Sequence, residues 1–235
     1  MAGKNKVKFN LCNVHFALLT EGTNGEITWE TPEALPGAVS LSLDPTGEPE
    51  SFYADGVEYY VINNNQGYDG DLEIALIPES FRTKVLKETA DSANVLVENS
   101  NAQAGHFALL FEFDGDVKKV KHVLYNCSSA RPSIESKTNE DSREVQTEKL
   151  SIKARPLASG LVKAKTGDST RAAVYNNWYK NVYQPDAVGG YDDEEEEGDG
   201  EEIHVLLVVV FEHHRVELLL VDGADVVDDG VEAEF

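Results

Sequence analysis

The sequence is short of cysteine, of basic side chains and of uninterrupted apolar stretches, and each shortage removes a class of function. Cys12 and Cys127 are the only cysteines in 235 residues. Two are too few for a disulfide scaffold and lack the spacing of a metal site, so they read as free thiols of a reducing compartment. Lys and Arg total 20 against 43 Asp and Glu, a formal net charge of -23. Such an acid excess repels any phosphate backbone it faces, which disfavours tight nucleic-acid binding through a basic surface. The opening residues, Met1-Ala2-Gly3-Lys4-Asn5-Lys6, lack the apolar core of a signal peptide. The longest apolar stretch, residues 203–221, is broken by Glu212, His213, His214, Arg215 and Glu217, whereas a membrane span needs about 20 apolar residues without such interruptions. The expectation is a soluble protein with no membrane partner.

Signatures of chemistry are missing too. There is no Gly-rich phosphate loop, no Gly-x-Ser-x-Gly elbow and no His-Glu-x-x-His pair. His15 and His106 fall within strand-like patterns and His122 in a Lys-rich one, positions that suit structural or surface roles. His213 and His214 are adjacent, and neighbours on a strand point to opposite faces, which argues against a shared metal. The run 192–202 has the charge of a calcium loop. Counted from Asp193, however, Gly198 fits the sixth position while His204 occupies the twelfth, where an EF-hand needs Glu. It reads as a solvated acidic run. Asn126-Cys127-Ser128 matches the glycosylation triplet, which has no meaning without export. Trp178, Tyr179 and Tyr183 are spaced for a helix face and read as core or interface before they read as a stacking platform for a base or sugar. No catalytic residue, cofactor or metal is expected, and the chain is not expected to be an enzyme.

What is present is divided in two. Beyond residue 190 there are seven Asp and ten Glu against Arg215 alone, and no Lys, Ser, Thr, Asn, Gln or Pro, while all eight prolines precede that point. About two-thirds of the net charge therefore belongs to the last 45 residues. The expected division is residues 1–187 as one domain and 188–235 as an acidic, Val-rich C-terminal extension.

The first part has the period-two alternation of half-buried antiparallel strands. Val7, Phe9 and Leu11 alternate with polar neighbours, and the phase then slips to Val14, Phe16 and Leu18, as one extra residue near Cys12 or Asn13 would cause. Val39, Leu41 and Leu43 form another face, as do Leu72, Ile74 and Leu76. Phe107, Leu109, Phe111 and Phe113 lead to Asp114-Gly115-Asp116, a turn sequence, with 117–125 as the returning strand. Residues 57–62 and the alternation of Leu150, Ile152 and Ala154 make at least seven strands. Pro78 opens a short helix to about Glu88, with Glu79 in its first turn and Lys84 and Lys87 in its last. A second helix is expected over about 169–183, where Val174, Trp178 and Val182 recur every four residues before Pro185. Residues 44–51 and 128–145 are polar and Pro- or Ser-rich and read as loops, the second long enough to suggest a functional one.

Several strings identify a resemblance. Residues 34–43 (Ala-Leu-Pro-Gly-Ala-Val-Ser-Leu-Ser-Leu), 52–56 (Phe-Tyr-Ala-Asp-Gly), 67–75 (Gly-Tyr-Asp-Gly-Asp-Leu-Glu-Ile-Ala) and 107–115 (Phe-Ala-Leu-Leu-Phe-Glu-Phe-Asp-Gly) closely resemble the major tail protein of long-tailed, non-contractile bacteriophages and related prophages. So do 122–127 with Arg131-Pro132, and 174–179 (Val-Tyr-Asn-Asn-Trp-Tyr). The likeness runs over about residues 5–187. It implies a mainly β chain, an antiparallel β-sandwich or barrel-like tail-tube fold with one flanking α-helix. Subunits of that family assemble as hexameric rings that stack into the tube through which the genome is ejected. Implied partners are further copies of the chain, the tape measure, tail terminator and distal tail proteins, and genomic DNA as passing cargo that is not bound specifically. The implied location is the virion tail, assembled in the bacterial host cytoplasm.

Within that reading Glu73 and Glu112, on polar strand faces, are the candidates for an acidic lumen that repels DNA. Asp44, Gly47 and Glu48 in the first loop, and Arg131 and Asp141 in the second, are the candidates for contacts between subunits. A tail-completion or secretion-tube component is the alternative within structural proteins, and a carbohydrate-binding or hydrolytic β-sandwich is the alternative outside them. The departure from the family lies at the C-terminus. Forty-five residues are too few for an added immunoglobulin-like domain of about 100. A hairpin of 205–210 with 216–221, or translation in a shifted reading frame, would account for the segment, and comparing the nucleotide sequence in all frames distinguishes them.

Overall fold

Strand and helix positions follow from where apolar side chains find a covered face. The computed structural model describes residues 3–138 and 144–185. The C-terminal extension with its expected hairpin, and the contact candidate Asp141, lie outside the described residues. In chain order the elements are β1 (Lys8–Glu21), β2 (Ile27–Trp29), β3 (Glu33–Ala34), β4 (Ala38–Thr46), β5 (Glu50–Ala54), β6 (Val57–Ile62) and β7 (Gly67–Ile74). There follow α1 (Glu79–Lys84), β8 (Thr89–Ala90), β9 (Leu96–Val97), β10 (Phe107–Gly115), β11 (Val120–Ser129), β12 (Glu148–Ala154), β13 (Lys163–Lys165) and α2 (Ala172–Asn177). The protein is mainly β.

Nine strands share one antiparallel sheet in the order β2-β1-β10-β11-β12-β7-β4, with β13 also on β11 and β3 on β1. The sheet wraps one core. Val14 and Phe16 of β1, Leu109 and Phe111 of β10 and Leu124 of β11 meet Leu72 and Ile74 of β7, Leu150 and Ile152 of β12, and Phe81 of α1. Pro78 precedes α1, Glu79 lies in its first turn and Arg82 and Lys84 in its last, as the helix dipole favours. The helix ends three residues before Lys87, which takes a positive φ of 62°.

A second core covers the opposite face of β10 and β11. Ala17, Ala108, Leu110, Val123 and Tyr125 pack against Leu157, Trp178 and Val182 from the segment after β12. This corrects the half-buried reading of β10, whose residues from Phe107 to Phe111 are all at most 5% exposed. The C-terminal segment supplies the cover, and Trp178 stacks on Tyr183 at 5.4 Å. The second helix is present as α2, and it is confined to six residues, so two helices flank the sheet instead of one.

Other expectations hold with changes. The phase slip in β1 is two irregularities against β10, flanking Cys12, with Asn10 and Asn13 at φ 50° and 55°. Asparagine is among the residues that best tolerate that region. Phe9 and Val39, expected on apolar faces, are 54% and 53% exposed. Residues 44–51 are not one loop, because β4 continues through Asp44 to Thr46 and β5 begins at Glu50. No helix among the described residues is long and apolar enough to cross a membrane.

Candidate functional site

The largest anomaly of the surface is the β5–β6 ribbon. Among the described residues it pairs only with itself, in continuation of the β4–β7 pair. Gly47 stands at the kink between the two with φ 98°, and a Cβ there would lie 2.2 Å from the Asn64 carbonyl oxygen. At the tip Asp55 and Gly56 take φ 53° and 80°, the left-handed pair that a tight hairpin turn requires. Phe52, Tyr53, Tyr59 and Tyr60 are 58–71% exposed, and Val57, Val61 and Ile62 are exposed with them. An isolated two-stranded ribbon is marginal in water, and a contiguous apolar patch of this kind marks an interaction surface. The sequence carried a signal for it. From Tyr59 to Ile62 four apolar residues follow one another without alternation, so neither ribbon face is polar.

Beside the base of the ribbon a cleft of about 260 Å³ opens between Leu41 and Leu43 of β4, Tyr68 of β7, Phe113 of β10, and Lys8 and Lys163. Lys8 Nζ lies 4.9 Å from the Phe113 ring centre and Lys163 Nζ 4.4 Å from that of Tyr68. His122, at the cleft wall, stacks flat on Phe111 at 5.0 Å. Burial, aided by Lys165, Lys163 and Lys8, holds its pKa down at about 4 against an ordinary 6.5. A histidine depressed in the folded state contributes stability above its unfolded pKa, and that contribution is lost as pH falls through the window from 6.5 to 4, because the unfolded chain takes up the proton first. We expect the protein to lose about 1–3 kcal/mol across that window through this residue. Urea midpoints at pH 7 and pH 4.5 measure it, and His122→Gln should flatten the difference. An equal slope in the variant would remove His122 as its source.

Glu112, a candidate for a channel wall, is not at the surface. It is 3% exposed and lies beneath the C-terminal segment, accepting from Lys119 Nζ at 2.8 Å and from the Tyr179 hydroxyl at 3.2 Å. Lys121 Nζ donates to the Tyr175 carbonyl and Trp178 Nε1 to that of His122. Glu112 is therefore the polar anchor of the segment that covers the second core. The two carboxylates hydrogen-bonded or close to Lys119 raise its pKa well above the usual lysine value.

Glu73 does stand on the outer, polar face of β7. Thr147 Oγ1 donates to it at 2.7 Å and Ser40 Oγ at 2.9 Å, and these bonds lower its pKa. Asp69 and Asp71 share its face, with Lys153 opposite Asp69 and Lys149 opposite Glu73 on β12, so the wall is a mixed one. Asp44 is exposed on β4, Glu48 is exposed next to Gly47, and Arg131 is exposed and paired with Glu98 at 2.5 Å. The structure thus gathers Asp44, Gly47 and Glu48 at one end of the β4–β7 pair and leaves Arg131 apart from them, beside a cleft of about 560 Å³ that Glu73 and Glu148 also line.

The described histidines each hydrogen-bond to or stack on a neighbouring group. His15 Nδ1 contacts the Asn13 carbonyl and His106 Nδ1 the Asn126 side chain. Burial pushes the Cys127 thiol up to about 12, and burial and Glu112 raise that of Cys12. Among the described residues no cluster of three or more His, Cys, Asp or Glu side chains is placed to hold a metal. The arrangement can present an exposed apolar surface. Comparison of the chain with protein-family models and with curated proteins found no match.

Proposed function

We propose that the chain is a structural virion protein, the tail-tube subunit of a long-tailed, non-contractile phage. Its sheet and the two cores read as the barrel-like sandwich of that family, and its working state is a stack of hexameric rings forming the conduit for genome ejection. The observation that carries the reading is the unpartnered ribbon. A chain that leaves seven large apolar side chains uncovered on a two-stranded arm needs a partner to cover them. The resemblance of residues 34–43, 52–56 and 67–75 to tail-tube subunits falls on the ribbon and its root. Tape measure, terminator and distal tail proteins would cap or fill the tube, and DNA would pass through it without being bound specifically. Glu73, on the outer face of β7, is the remaining channel-side candidate, since Glu112 is covered.

Negative-stain electron microscopy of the purified full-length chain tests this. Hollow rods of constant diameter are expected, and tubes carrying Glu73→Lys should retain added DNA that unaltered tubes release. A protein that stays monomeric at every concentration and salt condition overturns the tube, and equal DNA release from both kinds of tube removes Glu73 from the channel.

A further inference from the structure

The ribbon carries a charge of one sign as well as apolar side chains. Between residues 48 and 62 there are four acids, Glu48, Glu50, Asp55 and Glu58, and no Lys, Arg or His. Its receptor must therefore offer apolar walls and positive charge together. Four clefts of the described residues differ sharply in this respect, and those of about 290 and 310 Å³ have no basic lining residue. The 560 Å³ cleft at the far end of β7 is lined by five glutamates against three basic residues, and these are already paired, Arg82 with Glu88 and Glu148, Arg131 with Glu98 and Lys149 with Asp71. It would repel the ribbon. The 260 Å³ cleft has Leu41, Leu43 and Phe113 as apolar wall, Lys8 and Lys163 at its rim, and no acidic lining residue.

Resting on the tube-subunit reading, we propose that the Lys8/Lys163 cleft receives the acidic aromatic ribbon of a second copy of this chain, and that this contact closes the ring rather than joining one ring to the next. The height of donor and acceptor decides between the two. Tyr68 lies one residue inside Gly67 and Leu43 three inside Thr46, the strand ends from which the ribbon departs, and Leu41 continues the cleft along β4 to the level of Leu72. The cleft thus opens at the end of the β4–β7 pair from which the ribbon leaves, while the acidic cleft is reached at Glu73 and Glu148, roughly 20 Å from Gly67 along the strands. A contact between two different patches is heterologous, and with β4 and β7 running along the assembly axis a rotation that closes it yields a ring. Stacking along the axis would need donor and acceptor at opposite ends. The volume admits side chains and not a whole strand. Tyr59, 71% exposed at the irregularity between the Phe52–Tyr60 and Tyr53–Glu58 pairs, is the side chain best displayed to enter, with Glu58 and Asp55 near the two lysines.

The test places a photoreactive benzoylphenylalanine at Tyr59 in the full-length protein, mixes isotopically light and heavy copies, and maps the crosslinks by mass spectrometry. Links between copies to the peptides holding Leu41, Leu43, Phe113 or Lys163 are expected, with a ladder of products that stops at a closed oligomer. A second arm measures self-association by sedimentation. Lys8→Glu with Lys163→Glu should weaken it by about tenfold or more, and adding Asp55→Lys and Glu58→Lys to the same chain should restore most of the loss. Rods that form while the crosslinks fall on α1 or on the Glu148 cleft would overturn the inference and leave the tube reading standing. A chain that never associates overturns both.

Discussion

Phe81→Ala is expected to lower the free energy of unfolding by about 3–5 kcal/mol. The helix that carries Phe81 has six residues and no side-chain hydrogen bond at its N-cap, and a helix so short has no appreciable stability of its own. What holds it is the ring, fully buried and edge-on to Phe16 at 5.1 Å and Phe107 at 5.3 Å. Those partners sit on β1 and β10, two central strands of the sheet, so the truncation opens a void at the point where helix and sheet meet. Phe81→Leu keeps most of the volume and loses the edge contacts, and should cost about 1–2 kcal/mol. Equilibrium urea unfolding followed by the fluorescence of Trp29 and Trp178 reads both. A loss under about 1 kcal/mol for the alanine variant would mean that α1 does not belong to the cooperative core.

The parts of this structure that follow a local rule were legible in the sequence. Period-two alternation placed β4, β7, β10 and β12, and Pro78 with Glu79 placed α1, because in each case the information lies within a few residues. What was illegible depended on distant chain. Glu112 alternates with Phe111 and Phe113 as a surface residue would, and it is covered only because Tyr179, 67 residues later, donates to it. Val57 to Ile62 reads as a strand and is one, but its unalternating run from Tyr59 reads in sequence equally as a strand buried on both faces, whereas β6 faces solvent. The 44–51 stretch was misread because Pro45 and Pro49 are punctuation in most contexts. Pro45 is tolerated here on β4, whose only ladder partner among the described residues is β7, so that its missing N–H has no second strand to serve there. The candidate site suffered most, since it is made by the absence of packing, a property of the whole surface.

Gly67→Ala should be the most damaging single-atom change at the ribbon's root, at about 2–4 kcal/mol. Gly67 has φ 102°, and a Cβ there would lie 2.0 Å from the Ala154 carbonyl oxygen and 2.9 Å from its carbon. Both are backbone atoms of the neighbouring strand, so no rotamer change relieves the clash, and β7 must lift away from β12 where their ladder begins at Tyr68 and Ala154. Gly56 is the matching control, because it too has positive φ, 80°, with nothing within 4 Å of the position a Cβ would take. Gly56→Ala should cost about 1–2 kcal/mol, the left-handed penalty alone, and the difference between the variants isolates the clash. Hydrogen exchange separates the consequences further. Faster exchange should spread from Tyr68 along β7 and β12 in the Gly67 variant and remain at the ribbon tip in the Gly56 variant. If the two variants proved equally stable with the same exchange pattern, the close approach at Ala154 would not constrain the strand pair. If they differ as expected, the glycine that lets β7 lie against β12 is also the one that fixes where the ribbon leaves the sheet, and a loss of self-association in Gly67→Ala beyond its loss of stability would tie the aim of the ribbon to assembly.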